Sequence, residues 1–265
     1  MLSSSRHSSK YRPGRRFRGI SRRLLLSCGI ALGLPATAGA QGSAAENGEQ
    51  AAREEILRLL RQSPPDTAGL DAALARLGAA EAARAARARA AALAAAAPRL
   101  LHDPSDIPAG NPEGALTLVE FDDLDCPPCR ALAPMLDRLL RQDRRIRLVH
   151  KDLPILGPAS EFAARAVLAA ARQGAYLELR ARLMAARAPV SAALVAREAA
   201  ALGLDPARLA RDMADPAIAR KLVANRALAA ELGIDTVPSL VVGGEIVQGA
   251  VGIDDLRAAL ASAGG

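Results

Sequence analysis

A Cys-Pro-Pro-Cys motif at residues 126–129 constrains this chain more than any other feature of its sequence. The third cysteine, Cys28, lies in a segment with the features of a cleaved leader. A disulfide across so short a loop restricts the unfolded chain little, so the pair is poorly suited to holding distant parts of a fold together. Two thiols at this spacing at the start of a helix favour reversible thiol–disulfide chemistry, because the first of them ionises readily and the thiolate is the attacking species.

The first forty residues predict an export signal. They contain eight basic residues and no acidic one, followed by an apolar run from Leu24 to Leu34 and by the cleavage signature Ala38-Gly39-Ala40. This order is typical of a secretory signal, and the apolar run is shorter than the ~20 residues of a membrane span. We therefore expect residues 1–40 to be removed, leaving Gln41 first. Arg22-Arg23 before the apolar run leaves both Sec and twin-arginine export open.

Removal of that leader changes the meaning of the net charge. The whole chain carries a formal charge of +7, and the eight basic residues of the leader contribute +8 of it. The remainder of the chain therefore carries −1. A basic surface for nucleic acid is not indicated, and we expect no nucleic-acid partner. Disulfides persist in exported proteins, where structural frameworks use several widely spaced bridges. A single closely spaced pair favours a dithiol catalyst over a small structural loop.

The segment after the leader, residues 41–98, is rich in Ala and Arg and predicts a helical arm. We expect its last helix to end at Pro98. Leu70, Leu74 and Leu77 recur at helical spacing, but the arm has too few large apolar residues to form a core alone. Their stripe should face the main domain or the same helix of another subunit, and a solvated arm is the alternative. The coiled-coil-like spacing favours a homo-oligomer.

The main domain, residues 99–265, alternates signals for strands and helices. Its predicted elements are a strand at 116–121, a helix at 130–141, a strand at 146–150, helices at 162–187, 192–214 and 215–232, strands at 239–242 and 245–247, and a helix at 253–261. The cysteine pair lies in a βαβ unit, which indicates an α/β, thioredoxin-like fold. We place a helical insertion at about 158–214 and the α-helical arm before the domain.

Several motifs resemble the Dsb thiol–disulfide oxidoreductases of the bacterial periplasm, in the DsbA family. The matching segments are Val119-Glu120-Phe121 before Cys-Pro-x-Cys-Arg, Leu-Pro-Ile-Leu-Gly-Pro at 153–158, Gly-Ile-Asp-Thr-Val-Pro-Ser at 233–239, Gly243-Gly244 and Gln248-Gly249-Ala250. The arm and the entry Asn-Pro-Glu-Gly at 111–114 are similar to the ScsC-like branch, whose arm oligomerises. The resemblance implies a periplasmic location.

The resemblance also implies roles for the matching catalytic residues. Cys126 is the exposed nucleophile, and Cys129 is the buried resolving thiol. Pro238 matches the cis-proline of the family, which faces the cysteine pair. Glu120 matches a buried acid that accepts a proton near Cys129, although a strand-end carboxylate in solvent remains an equal alternative.

Substrate contacts are expected close to the pair. The resemblance implies that the Val237 backbone pairs with a substrate strand, and Pro127 and Pro128 complete the predicted substrate-binding residues.

The sequence also departs from the family around the cysteines. Asp122, Asp123 and Asp125 stand where relatives carry aromatic residues, and three carboxylates would oppose formation of a thiolate nearby. The two prolines of the motif also leave no histidine inside it. His102 and His150 are expected in surface or turn positions rather than as catalysts, because no Cys-His motif surrounds them.

Together these features predict a protein disulfide oxidoreductase or isomerase that acts on exported proteins with thiols or disulfides. An oligomeric arm would favour the isomerase or reductase roles. We expect no cofactor, and a membrane or periplasmic redox partner. The alternatives are a Cu(I)-binding protein that uses the same two thiolates and a chaperone-like holdase. Structural zinc is not expected, because it needs four ligands.

Overall fold

The structure, a computed structural model, describes residues 44–62, 64, 66–249 and 251–263. The predicted leader, with Cys28 and the cleavage site, lies outside these residues. The elements in chain order are α1 (Ala44–Leu60), α2 (Thr67–Leu101), β1 (Ala109–Gly110), β2 (Leu116–Asp122), α3 (Pro127–Gln142), β3 (Ile146–Asp152), α4 (Pro158–Ala171), α5 (Tyr176–Ala185), α6 (Ala192–Ala201), α7 (Pro206–Met213), α8 (Pro216–Glu231), β4 (Ser239–Val242), β5 (Glu245–Gln248) and α9 (Ile253–Ala263). Within the described ranges, no helix combines the length and the apolar character needed to cross a bilayer.

In the described part of the chain, five strands form a sheet in the order β1-β3-β2-β4-β5. β2 and β3 run parallel, with Asp122 opposite Asp152 at their ends, and the other neighbours are antiparallel. A parallel pair needs a crossover, which α3 supplies. The two central strands therefore end at the same edge, where α3 begins.

Apolar layers cover both faces of this sheet. On one face Leu118 of β2 packs in a cluster with Leu136 of α3 and Leu256 of α9. On the other face Phe121 of β2 packs in a larger cluster that contains Val167 of α4. Because successive strand residues point to opposite faces, β2 buries Leu118 in one layer and Phe121 in the other.

Two of the predicted helices are each split in the structure. The predicted helix at 162–187 forms α4 and α5, and the one at 192–214 forms α6 and α7. Gly174 and Gly203 lie at the breaks with φ of 75° and 72°. Glycine adopts this left-handed conformation without the steric cost of a Cβ, so it commonly ends a helix.

The arm is a helical hairpin in which α1 packs against α2. Ala52 and Leu59 of α1 and Ala73 of α2 are buried. Leu74, in the centre of the predicted apolar stripe, is 49% exposed. Leu70 and Leu77, the other two residues of that stripe, are half-buried on either side of Ala73, so the packing face of α2 includes them and leaves out Leu74.

α2 continues through Pro98 to Leu101, so the predicted helix end at Pro98 is wrong. Leu93, Ala96 and Leu100 are buried in the large cluster of the main domain. A proline in the last turn removes a single backbone donor, and the burial of Leu100 outweighs that loss. The end of the long arm helix thus belongs to the core of the main domain.

Candidate active site

The cysteine pair lies where β2 gives way to α3. α3 begins at Pro127, three residues before its predicted start, with Cys126 as its N-cap. Proline suits the first helical positions because its φ is preset and its missing N–H would have no helical partner. Cys126 N donates to the Asp123 carbonyl oxygen at 3.0 Å, and the Cys126 carbonyl oxygen accepts from Arg130 N at 3.0 Å. The Cys126 thiol is thus held at a helix N-terminus, where partial positive charge favours an anion.

Both thiols are unbonded and lie in the interior. Cys126 is 5% exposed and Cys129 is fully buried. The expected exposure of Cys126 is therefore wrong. The reason is the loop before β4, because Cys126 Sγ lies 3.6 Å from the carbonyl oxygen of Val237, which covers it. A substrate must reach Cys126 past this backbone segment.

The Val237–Pro238 peptide bond is cis, the conformation that the resemblance implied for Pro238. β4 follows directly and pairs with β2, with Ser239 opposite Phe121. Phe121 lies on the strand that leads into the cysteine pair, so this register brings the Val237 loop beside Cys126.

Cys129 is a poor acid in this environment. Burial raises the pKa of its thiol well above the usual range, and the charge of Asp122 raises it further. Cys129 therefore keeps its proton until a reaction step removes it.

A buried cluster of charges lies at the ends of the two parallel strands. Arg180 of α5 donates to Glu120 Oε2 and to Asp152 Oδ1, each at 3.3 Å, and it also contacts Asp122. All four side chains are at most 5% exposed. Because Arg180 belongs to the helical insertion, this cluster joins the insertion to the centre of the sheet.

The carboxylates of this cluster outnumber its one guanidinium, so the cluster retains protons. Burial raises the pKa of Glu120, raises that of Asp122 to about 6 and raises that of Asp152 to about 7, with the charge of Arg180 opposing each shift. Burial also lowers the pKa of His150 to about 3. His150 is therefore a neutral imidazole. Its Nδ1 lies 2.9 Å from Glu120 Oε2.

Glu120 and His150, which lie side by side in this cluster, were both given possible or expected positions at the surface. Glu120 is buried, so the solvent-exposed alternative is excluded, yet the carboxylate that acts on the charge of Cys129 is Asp122. The expected surface position of His150 is wrong, because its side chain is only 9% exposed beside Glu120. His102 is exposed at the end of α2, as expected.

Arg180 is a buried residue of this cluster that sequence reasoning missed. It lies in the helical insertion, 58 positions from Asp122 and outside any motif. A signal was nevertheless available in the strands. β2 and β3 both end in Asp, at positions that lie opposite each other, and buried carboxylates at such an edge are seldom left without a cation.

The three aspartates before the cysteines are all engaged. Asp122 contacts Arg180, Asp125 pairs with Arg130 at 3.2 Å, and Asp123 accepts backbone N–H groups. These contacts hold the three carboxylates in fixed positions around the start of α3.

The donor set of the cluster could suit a cation. Glu120, Asp122 and His150 bring possible ligand atoms within 4.8 Å of one another. Arg180 already contacts both carboxylates and supplies the positive charge that they require. We therefore assign no metal to these residues.

Comparison with known proteins identifies the family. The profile of the DSBA-like thioredoxin domain matches residues 117–261. This is more than half of the chain, which therefore belongs to the DSBA-like thioredoxin domain family. The predicted Dsb resemblance and the thioredoxin-like fold with a helical N-terminal region are confirmed, and the fold is that of thiol–disulfide oxidoreductase enzymes.

Similar solved structures cover the main domain and part of the arm. A thioredoxin-like oxidoreductase from Silicibacter pomeroyi is 40% identical, with a TM-score of 0.61 over 63% of this chain and 96% of its own. A periplasmic thioredoxin-like protein from Salmonella enterica serovar Typhimurium is 29% identical, with a TM-score of 0.58 over 63% and 94%. A linker-deletion mutant of Proteus mirabilis ScsC is 25% identical, with a TM-score of 0.63 over 85% and 98%.

A curated relative is a much longer protein. The Na(+)/H(+) antiporter NhaA 3 of Salinispora tropica is 33% identical over 156 residues, which are 58% of this chain and 24% of the antiporter. The chain spans about a quarter of the length of the curated relatives it matches.

Proposed function

We propose that this protein exchanges disulfides in exported proteins through the Cys126–Cys129 dithiol. The observation that carries this proposal is the position of Cys126, at the N-terminus of α3 with its Sγ 3.6 Å from the Val237 carbonyl oxygen. A substrate chain that pairs with the Val237 backbone would bring its own sulfur to this thiol. The exposed side chains of Pro127 and Pro128 lie beside the same thiol.

In the first step the Cys126 thiolate attacks one sulfur of a substrate disulfide. A bond forms between Cys126 Sγ and that sulfur, the substrate S–S bond breaks, and the second substrate sulfur leaves as a thiolate that takes up a proton. The helix N-terminus stabilises the attacking anion. Pro238 holds the loop that positions the substrate.

In the second step Cys129 resolves the mixed disulfide. It loses its proton and attacks Cys126 Sγ, which forms the Cys126–Cys129 disulfide and releases the remaining substrate sulfur as a thiol. The substrate is reduced by two electrons and the dithiol is oxidised. Because Cys129 is buried with a raised pKa, a nearby carboxylate must accept its proton. Asp122, whose charge raises the pKa of Cys129, is the acceptor that we propose, with Glu120 in the same cluster.

Running the two steps in reverse oxidises a substrate dithiol to a disulfide. Repeated formation and release of mixed disulfides rearranges the disulfide pairing of a substrate, which is isomerisation. We propose both as activities of this site, with a membrane or periplasmic redox partner that resets the pair. We propose a periplasmic location, because the composition of residues 1–40 is typical of an export signal; the periplasmic relative from Salmonella supports it.

We further propose that the arm, residues 41–98, joins copies of the chain. Leu57, Leu60 and Leu74 are each about half exposed on the helical hairpin. An apolar surface of this kind on a two-helix arm is stabilised when a second copy covers it. The likeness to the ScsC mutant over 85% of the chain extends into this arm.

Reduction of insulin by the purified protein, with dithiothreitol as electron donor, tests the exchange activity. We expect the wild-type protein to accelerate the reaction and Cys126→Ser to abolish the acceleration. Ser262→Ala, on the exposed end of α9, is the control and should retain it. A wild-type protein that binds Cu(I) but exchanges no disulfide would overturn the proposal in favour of metal carriage.

A further inference from the structure

A large cavity lies between α3 and α5, beside β3. Its volume is about 780 Å³, within the range of ~300–1,000 Å³ that is typical of small-molecule sites in proteins. Apolar side chains from three elements line it, namely Leu136 and Leu140 of α3, Leu148 of β3, and Leu177 and Met184 of α5. Neither cysteine of the pair is among the lining residues. A molecule in this cavity would therefore not contact the reacting sulfurs.

One end of the cavity holds a carboxyl oxygen without a partner. Glu120 lines the cavity and is 1% exposed. Its Oε2 lies 3.3 Å from Arg180 Nη2 and 2.9 Å from His150 Nδ1, but its Oε1 has no hydrogen-bond partner in the described part of the chain. A buried oxygen without a partner is costly. A donor that enters the cavity and bonds to Oε1 would remove this cost.

Asp137 adds a second carboxylate at the same end. It is an exposed residue of α3 that lines the cavity and forms no ion pair with the residues that the structure describes. Burial is the main cause of the raised pKa of Glu120, and the charge of Asp137 also raises it, so the two carboxyls lie within electrostatic range. Arg130, which also lines the cavity, is already paired with Asp125. This end of the cavity therefore favours a positively charged donor.

Two further arginines lie at the other end of the cavity. Arg141 is in the last turn of α3, and Arg144 follows between α3 and β3. α3 runs back from the end of β2 to the start of β3, and Glu120 lies opposite His150, two residues beyond Leu148 toward the strand ends. The leucines therefore separate an acidic end of the cavity from a basic one.

We propose that this cavity binds a small apolar molecule that carries a primary ammonium group. The ammonium donates to Glu120 Oε1 and lies against Asp137, and the apolar body packs against Leu140, Leu148 and Met184. A primary ammonium suits the acidic end because it offers three donors and a full positive charge in a compact group. Removal of the apolar body from water supplies the remaining affinity. The inference does not depend on the proposed function, because neither thiol takes part in the binding.

Three matched probes test the site: 4-phenylbutylammonium, 4-phenylbutanol and 4-phenylbutanoate. They share one apolar body and differ in the terminal group. Calorimetric titration of the wild-type protein should show that the ammonium binds roughly tenfold more tightly than the alcohol, because a hydrogen bond to a charged group contributes on this scale. The butanoate should bind more weakly than the alcohol.

Four variants locate the binding. Asp137→Asn should lower the affinity for the ammonium toward that for the alcohol, and Glu120→Gln should do the same. Ala181→Trp, at an exposed alanine of α5 that lines the cavity, should weaken binding of all three probes because the indole occupies their space. Ala196→Trp, at an exposed alanine of α6 that does not line the cavity, is the matched control and should bind the probes as the wild-type protein does.

Tighter binding of the butanoate than of the ammonium would overturn the inference, since the arginines would then select the ligand. The inference also fails if the ammonium does not bind at millimolar concentration, or if neither carboxylate variant reduces its advantage over the alcohol. Equal binding by the Ala181→Trp and Ala196→Trp proteins would place the probes outside this cavity and overturn it as well. None of these outcomes bears on disulfide exchange, which the insulin assay measures separately.

Discussion

Arg180 of the helical insertion contacts the carboxylate of Asp122, which ends the strand leading into Cys126. The same guanidinium lies 3.3 Å from Glu120 and from Asp152. One side chain of α5 therefore balances carboxylates from both central strands. Because these groups are buried, the insertion and the redox centre should lose stability together when Arg180 is replaced.

Replacement of Arg180 by Met should be strongly destabilising. It leaves three buried carboxylates without a counter-ion, and breaking a buried pair by removing one partner typically costs about 3–5 kcal/mol. Denaturant unfolding measures the change in the free energy of unfolding. Arg182→Met is the control on the same helix, because its side chain is 43% exposed and pairs at the surface with Glu198. It should cost at most about 1 kcal/mol, and equal losses in both variants would contradict the assigned role of Arg180.

The buried carboxyls predict a specific dependence of stability on pH. Burial holds the pKa of Asp152 at about 7 and that of Asp122 at about 6, above the ~3.9 of an unfolded Asp. The folded state therefore binds more protons than the unfolded state from about pH 4 to about pH 7. Their contribution to the free energy of unfolding falls as pH rises through this window.

Asp152→Asn removes one of these titrating groups. Its free energy of unfolding should decline less than that of the wild-type protein from about pH 4 to about pH 7, by roughly 1 kcal/mol or more. Urea unfolding at several pH values across the window measures both slopes. Parallel slopes would show that Asp152 does not titrate with a raised pKa in the folded protein.

The end of α2 should behave as part of the main domain. Leu100 is 2% exposed in the core, so Leu100→Ala should destabilise the protein by about 2–5 kcal/mol through the cavity that it leaves. Val223→Ala, at an exposed apolar position, should change stability by less than about 0.5 kcal/mol. Thermal or denaturant unfolding distinguishes the two, and a small loss for Leu100→Ala would place the end of this helix outside the core.

Removal of the outer part of the arm should yield a monomer. Deleting residues 41–88 takes away the hairpin, with its exposed Leu57, Leu60 and Leu74, but leaves Leu93 and Leu100 in the core. We expect the shortened protein to retain insulin reduction and to lose isomerisation of scrambled ribonuclease, which benefits from two facing dithiols. Light scattering gives the mass of each form. A monomeric mass for the protein with its complete arm, at micromolar concentration, would refute the proposed oligomer.

Local signals predicted much of the fold. The cysteine motif, the apolar strand before it and the Gly243-Gly244 hairpin each depend on neighbouring residues, and all lie where the sequence placed them. Propensity and proline position were less reliable at helix ends. The helix through Pro98 continues because Leu100 gains from burial, a tertiary effect that no local pattern contains.

The site was predictable where it lies on motifs and unpredictable where it depends on packing. Pro238 and the Cys pair come from short patterns. The covering of Cys126 by Val237 depends on how β4 pairs with β2, and the burial of His150 depends on its contact with Glu120. Arg180 reaches its partners across the insertion, so only the assembled fold brings it to the site.

Trapping of the mixed disulfide tests the central assignment most directly. A Cys129→Ser protein retains the nucleophile but lacks the thiol that would resolve the intermediate. Incubated with a peptide disulfide and analysed by mass spectrometry without reductant, it should carry one peptide on Cys126. The Cys126→Ser protein should form no adduct on Cys129, whose buried thiol has a raised pKa. Adducts that form equally fast on either cysteine, or on neither, would contradict the exchange mechanism.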